Sequence, residues 1–212
     1  MDIDRVMKSL EKKRPIFHLE SDFQFALAWE IKSLYEHYDI RLEVPFEFDK
    51  RGRIDILVRE NGAVYPIELK YLKKALQHTV DGEQFVLADG VHDMEMYDCL
   101  ADVSRMESYC DNLEGFHTGY VIWLTNDRAY WEYSYNASYY SDFHAPDNSV
   151  KTGKMCYAPV NQRTGKPPQI LSERKYCSPV VLSGSYKVKW NLYSDLGIPK
   201  GQFRYVAICI NR

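Results

Sequence analysis

Three residues, Asp55, Glu68 and Lys70, have the types and spacing to do chemistry. They lie on two strand-like runs, Ile54–Glu60 and Ala63–Leu69 with Lys70 just beyond, joined by Asn61-Gly62, a strong short-range hairpin signal. With those two residues as the loop, paired positions sum to 123 and Asp55 faces Glu68. That pair is of the non-hydrogen-bonded kind, in which Cβ atoms approach to about 4.5–5.5 Å. Two carboxylates so placed repel unless a cation or a proton sits between them, so the pattern asks for a metal ion. Lys70, two residues beyond Glu68, projects to the same face.

The opposite face of the hairpin is apolar: Ile54, Ile56 and Val58 on one strand, Tyr65, Ile67 and Leu69 on the other. One face would pack a core while the other carries acid, acid and base. Pro66 fits because it faces Leu57 in a non-hydrogen-bonded pair, where its missing N–H is not needed by that partner.

An Asp followed by Glu-Leu-Lys on a paired strand resembles the core motif of the PD-(D/E)XK nuclease superfamily, with Ile54 where the written motif has proline. The segment from Arg14 through Trp29 is also similar to the opening of a little-characterised bacterial branch of that superfamily. The likeness covers roughly residues 14 to 125 and returns weakly near the C-terminus. It implies an α/β, restriction-endonuclease-like fold, a mixed β-sheet core flanked by helices with extra C-terminal strands. It also implies that Asp55 and Glu68 bind a divalent metal and that Lys70 assists the attacking water.

A helix is expected from about Ser21 to Tyr38, with Ser21 as N-cap and Gln24 completing a capping box. Phe23, Ala26, Leu27, Ile31, Leu34, Tyr35 and Tyr38 form its apolar stripe, and Glu30 falls inside it. A carboxylate there needs a Lys or Arg partner or a bound cation. The resemblance implies the latter, since a first-helix glutamate often completes the metal site, and Glu30 is taken as an auxiliary ligand.

A second helix should span His92 to Asn112, placing Asp98, Asp102 and Arg105 on one face. The plain reading is an intrahelical Asp–Arg pair; the functional one has that face bordering the cleft, with Arg105 on phosphate or fixing an acidic ligand. Gln84 is a further residue that could reach the cleft. Tyr120–Leu124 reads as a strand buried on both faces, Tyr130–Tyr135 as a returning strand after a turn, and Tyr186–Tyr193 and Phe203–Ile210 as further strands. Ser183-Gly184-Ser185 reads as a turn.

Residues 136–179, rich in Tyr, Ser, Asn, Gly and Pro with scattered Lys and Arg, form a long aperiodic stretch within one domain of 212 residues. Its bases beside Tyr139, Tyr140, Phe143 and Tyr157 could clasp a nucleic acid; alternatively its aromatics fold back on the sheet. Arg51, Arg53, Lys73 and Lys74 lie nearer the motif and suit phosphate contacts.

The formal net charge of −3 argues against a strongly cationic DNA-coating protein without forbidding a nuclease, whose metal ligands add to the acidic count. Five widely spaced cysteines without a Cys-x-x-Cys pair indicate neither a zinc site nor a disulfide framework. No Gly-x-Ser-x-Gly turn, Gly-rich phosphate loop or His-ligand spacing is present. The start lacks a signal-peptide core and no run reaches membrane-span length, so a cytoplasmic protein without membrane contact is expected.

The reading that unites these features is metal-dependent phosphodiester hydrolysis, with DNA as partner. Asp55, Glu68 and the Leu69 carbonyl would hold Mg²⁺, with Mn²⁺ as substitute, Glu30 would bind a second ion or its water, and Lys70 would orient the nucleophile. Cuts on both strands would call for a homodimer. The alternatives are a non-catalytic module that binds nucleic acid or protein on the same fold, and a structural domain in which Lys70 bridges the two carboxylates.

Overall fold

The computed structural model describes residues 1–46, 49–134 and 139–211, without the side chains of residues 49–51. An unanticipated helix, α1 (Ile3–Glu11), opens the chain. The Asp2 carboxylate caps it by accepting the Arg5 N–H, and Ile3, Val6, Met7 and Leu10 form its buried stripe. Helix α2 (Glu20–Leu34) begins one residue before the expected start and ends four before the expected end. The capping box does not form: Leu19 is the N-cap residue and offers no side-chain bond. Asp22 organises the entry instead, accepting the His18 N–H and both contacts from Arg14.

Strands β1 (Asp39–Phe46), β2 (Asp49–Glu60) and β3 (Ala63–Leu72) form an antiparallel meander. Asn61 and Gly62 have φ of 48° and 84°, as a two-residue type I′ turn requires, and the β2–β3 register follows the sum of 123 from Glu60↔Ala63 to Ile56↔Ile67. A small separate hairpin, β4 (Leu76–Val80) and β5 (Glu83–Leu87), leads into α3 (His92–Asn112), which has the expected bounds. Strand β6 (Thr118–Thr125), buried along its whole length, returns parallel to β3. A second separate hairpin pairs β7 (Val150–Met155) with β8 (Val180–Lys187), and β9 (Asn191–Asp195) and β10 (Gln202–Asn211) complete the main sheet.

That sheet has six strands in the order β1-β2-β3-β6-β10-β9, with β3–β6 parallel and the other neighbours antiparallel. It is a mixed α/β architecture. Helices α1 and α2 pack one face through Phe23, Leu27, Ile31, Ile56, Val58, Ile67 and Leu69. Helix α3 and the β7–β8 hairpin cover the other through Leu100, Val103, Val121, Trp123, Val206 and Ile208. No described helix is long and apolar enough to cross a membrane.

Several expectations change. From Tyr130 to Ser134 the chain turns rather than forming a strand, and Tyr135 lies outside the described residues. Ser183-Gly184-Ser185 belongs to β8, and the run Tyr186–Tyr193 is divided between β8 and β9 by Val188-Lys189-Trp190, where Trp190 donates its N–H to Asp147. The stretch 139–179 follows the fold-back reading: Phe143, Tyr157 and Tyr176 are buried in the α3-side core, while residues 136–138 lie outside the described residues. Lys151 is itself buried, its ammonium donating to the carbonyls of Asp142 and His144, so it is not free to grip a phosphate.

Candidate active site

The β2–β3 ladder stops at Ile56↔Ile67, one pair short of the expected Asp55–Glu68 pairing. Strand β2 is distorted at Asp55 from both sides. Across β1, Glu43 adopts φ 54° and leaves Asp55 without a partner between Leu42↔Ile56 and Val44↔Ile54. Side-chain alternation breaks as well, because Ile54 packs in the α3-side core with Leu57 rather than with Ile56 and Val58. Gln24 of α2 clasps this break, donating to the Asp55 carbonyl at 2.7 Å and to Glu43 Oε1 at 2.8 Å. The amide expected in a capping box is therefore spent on a backbone group that the ladder no longer satisfies.

Where β2 leaves β3, two N–H groups of β3 are taken by carboxylates. Asp55 Oδ2 accepts from Leu69 N at 2.7 Å and Glu20 Oε2 accepts from Tyr71 N at 2.8 Å. These two acids thus sit along the opened edge, beside the Leu69 carbonyl, which Lys70 Nζ approaches at 3.2 Å. Burial pushes the Asp55 carboxyl up to about 6, with the Leu69 N–H and Lys70 working against the rise.

On the α3 side of the sheet, β3 and α3 are joined by a ladder of charges. Arg105 Nη2 meets Glu68 Oε2 at 2.7 Å and Asp102 Oδ1 at 2.8 Å, while Lys70 Nζ meets Asp102 Oδ2 at 2.8 Å. The intrahelical Asp–Arg pair of the plain reading exists, and the same arginine also reaches Glu68. Asp98 leaves the group and pairs with Lys175 at 2.6 Å. Glu68 is 1% exposed, and its Oε1 is buried with no hydrogen-bond partner among the described residues. Burial raises its carboxyl to about 8, Arg105 opposes this, and the charges of Asp55 and Asp102 add to it. Lys70 is held protonated, the Asp102 and Glu20 charges outweighing its burial.

Glu30 does not join this cluster. It is 2% exposed and faces α1 and the residues just after it, where Ser9 Oγ and Lys13 Nζ occupy its two oxygens at 2.6 and 2.7 Å. The Lys partner that the plain reading allowed is Lys13, just beyond α1, and Ser9 of that helix takes the other oxygen, which sets Glu30 apart from the Glu68–Lys70–Asp102–Arg105 group. The α2 acid that reaches the site is Glu20, whose place in the first turn disguises it as an ordinary dipole-complementing residue. Gln84 is exposed on the separate hairpin opposite Thr79. Lys73 lies over the Tyr71 ring at 5.9 Å, Lys74 stands 3.6 Å from Asp89 and 3.7 Å from Asp127, and Arg53 donates to the Glu43 carbonyl. The Arg51 side chain lies outside the described residues.

Among the described residues no three Asp, Glu, His or Cys side chains are already drawn together as a metal-binding group. The charges nevertheless fit a cation. Four carboxylates (Glu20, Asp55, Glu68, Asp102) against two cations (Lys70, Arg105) leave two negative charges when all are ionised, and Glu68 Oε1 is an unused buried acceptor. Hard oxygen donors of this kind suit Mg²⁺ or Mn²⁺.

No known family model, curated protein or solved structure matches the chain.

Proposed function

We propose that the chain is a nuclease hydrolysing phosphodiester bonds in DNA, built on a restriction-endonuclease-like core and using the PD-(D/E)XK chemistry that its motif resembles. One observation carries this reading: where β2 parts from β3, the Asp55 carboxylate turns to the Leu69 N–H beside Lys70, next to a buried Glu68 whose Oε1 has no hydrogen-bond partner among the described residues, an assembly with excess negative charge. Asp55, Glu68, the Leu69 carbonyl and Glu20 would hold Mg²⁺ or Mn²⁺. A divalent ion there supplies Lewis-acid polarisation of the phosphate and a water of lowered pKa. Lys70, kept charged by Asp102, would orient an attacking water and offset negative charge developing on the phosphate oxygens. Arg105 balances Glu68, and Lys73, Lys74 and Arg53 offer charge to flanking phosphates. The fixed ion pairs keep these groups in place before substrate arrives, which is where preorganised electrostatics gain their effect.

The test is incubation with linear, circular and single-stranded DNA and with RNA, in Mg²⁺ or Mn²⁺, beside Lys70→Ala and Glu68→Ala. Cleavage by the parent that is lost in both variants supports the proposal; cleavage undiminished in both refutes it.

A second reading, a non-catalytic module binding nucleic acid or protein, is favoured by the closed ion-pair set in which Lys70 and Arg105 already have carboxylate partners. Calorimetric titration with Mn²⁺ separates the two: binding abolished by Asp55→Asn supports the enzyme, and no binding at millimolar metal, even with DNA present, supports the module.

A further inference from the structure

A cavity of about 380 Å³ opens at the end of the main sheet, lined by Arg204, Gln202, Asp195, Trp131, Lys200 and Arg128 among others. Its charges are unevenly satisfied. Arg128 is paired with Glu132, and Asp195 accepts from Gly197 N and from Gln202 Nε2. Arg204 has no ion pair among the described residues. Its Nε donates to Gln202 Oε1 at 3.1 Å and its guanidinium lies over the Trp131 ring at 5.3 Å, an indole itself almost fully buried. A chain of contacts, Asp195 to Gln202 to Arg204 to Trp131, therefore fixes the guanidinium plane and leaves its terminal nitrogens, the fork that matches phosphate oxygens, without acceptors among the described residues.

The sheet register places this arginine relative to the candidate active site. Leu72 pairs with Thr125 and Thr125 with Arg204, so the three lie in one row across β3, β6 and β10. Even-numbered residues of β3 and β10 face the α3 side, as Leu72, Val206 and Ile208 do, so Arg204 shares a face and a sheet end with Glu68 and Lys70. Two strands across and two residues along correspond to about 12 Å between the Lys70 and Arg204 Cα atoms. That is about three to four nucleotide steps of a stacked strand at 3.4 Å each. Lys74 bridges the interval: the buried Asn126 side chain bonds the Lys74 backbone on one side and the Lys200 carbonyl on the other, tying the cavity rim to the end of β3.

We infer that this cavity is a phosphate-binding subsite, with Arg204 as its anion receptor, and that it takes a backbone phosphate of the nucleic acid strand engaged at Lys70. The source of that phosphate rests on the nuclease reading; the subsite itself does not. Gln202 and Trp131 act as positioning residues, and the neighbouring Lys200 adds charge.

Two measurements test it on the full chain in EDTA, where no cleavage occurs. Inorganic pyrophosphate is titrated while tryptophan emission is followed, with Trp131→Phe identifying the reporter. A saturable change lost in Arg204→Gln and retained at reduced affinity in Arg204→Lys is expected; no change in the parent overturns the subsite whatever the nuclease assays show. Anisotropy of labelled single- and double-stranded oligonucleotides is then followed against salt. Arg204→Gln should weaken binding on the order of tenfold and reduce the slope of log K on log salt by about 0.7 for single strands or 0.9 for duplex, changes that a merely structural role would not produce. Unaltered affinity and slope, alongside Arg204-dependent pyrophosphate binding, would overturn the nucleic acid as the source and leave a free phosphate ligand.

Discussion

Arg105 donates to Glu68 Oε2 at 2.7 Å, while Oε1 of the same carboxylate is buried without a hydrogen-bond partner among the described residues. The guanidinium balances one oxygen of the acid, while the charges of Asp55 and Asp102 act against its ionisation.

Replacing Arg105 with Met should destabilise the protein by about 3 kcal/mol at pH 9, where Glu68 must either stay charged without its main cation or take up a proton to remain buried. At pH 5, where Glu68 is protonated, the loss should be much smaller. Urea unfolding at pH 5 and pH 9 measures the difference, and an equal loss at both would show that the charge of Glu68 is not what Arg105 offsets.

Stability of the metal-free protein should fall as pH rises from about 4 to 8. The Asp55 and Glu68 carboxyls are pushed up to about 6 and about 8, so between their unfolded and folded values the native state binds more protons than the unfolded one, and raising the pH favours unfolding. Moving Asp55 from 3.8 to about 6 corresponds to about 3 kcal/mol at 1.36 kcal/mol per pKa unit. Glu68→Gln should flatten the upper part of the profile, from about pH 6 to 8, in urea midpoints taken at half-unit intervals.

Mg²⁺ or Mn²⁺ should reverse that loss. A cation binds the ionised carboxylates, so its affinity should rise with pH up to about 8 and its binding should release protons, visible as a buffer-dependent enthalpy in calorimetry. At a metal concentration 100 times Kd the stabilisation should be about 2.7 kcal/mol. Binding that is independent of pH between 6 and 8 would place the metal elsewhere.

Glu20 and Glu30, ten residues apart on α2, should part company on mutation. Glu30→Ala removes the acceptor of Ser9 and Lys13 and should cost about 1–3 kcal/mol of stability with metal affinity unchanged. Glu20→Gln, next to Asp55 on the opened edge of β3, should leave stability within about 1 kcal/mol and weaken Mn²⁺ binding on the order of tenfold. Paired thermal melts and titrations decide it.

Lys70→Ala should lower kcat by about 100-fold or more with little change in KM, as expected for a group acting on transition-state charge. Asp102→Asn removes the carboxylate that does most to keep Lys70 charged, so its activity should decline at high pH earlier than that of the parent. Identical pH profiles would mean that Asp102 does not govern the lysine.

What the sequence determined on its own is local. Asn61-Gly62 set the β2–β3 register because few residues tolerate two successive positive φ values, the apolar run of β6 announced a strand covered on both faces, and the period of α3 set its bounds and put Asp102 and Arg105 together. Each of these signals is carried by neighbours along the chain. Tertiary structure alone decided which charges meet. Glu30 faced a helix that was not foreseen, Glu20 reached Tyr71 across 51 residues, Gln24 was drawn from its cap to the Asp55 carbonyl, and Asp98 turned to Lys175. A buried carboxylate demands some partner, and that demand is legible in sequence; which partner answers depends on how the crossover through α3 and the packing of α1 and α2 bring distant segments within 3 Å, and no spacing along the chain encodes that distance.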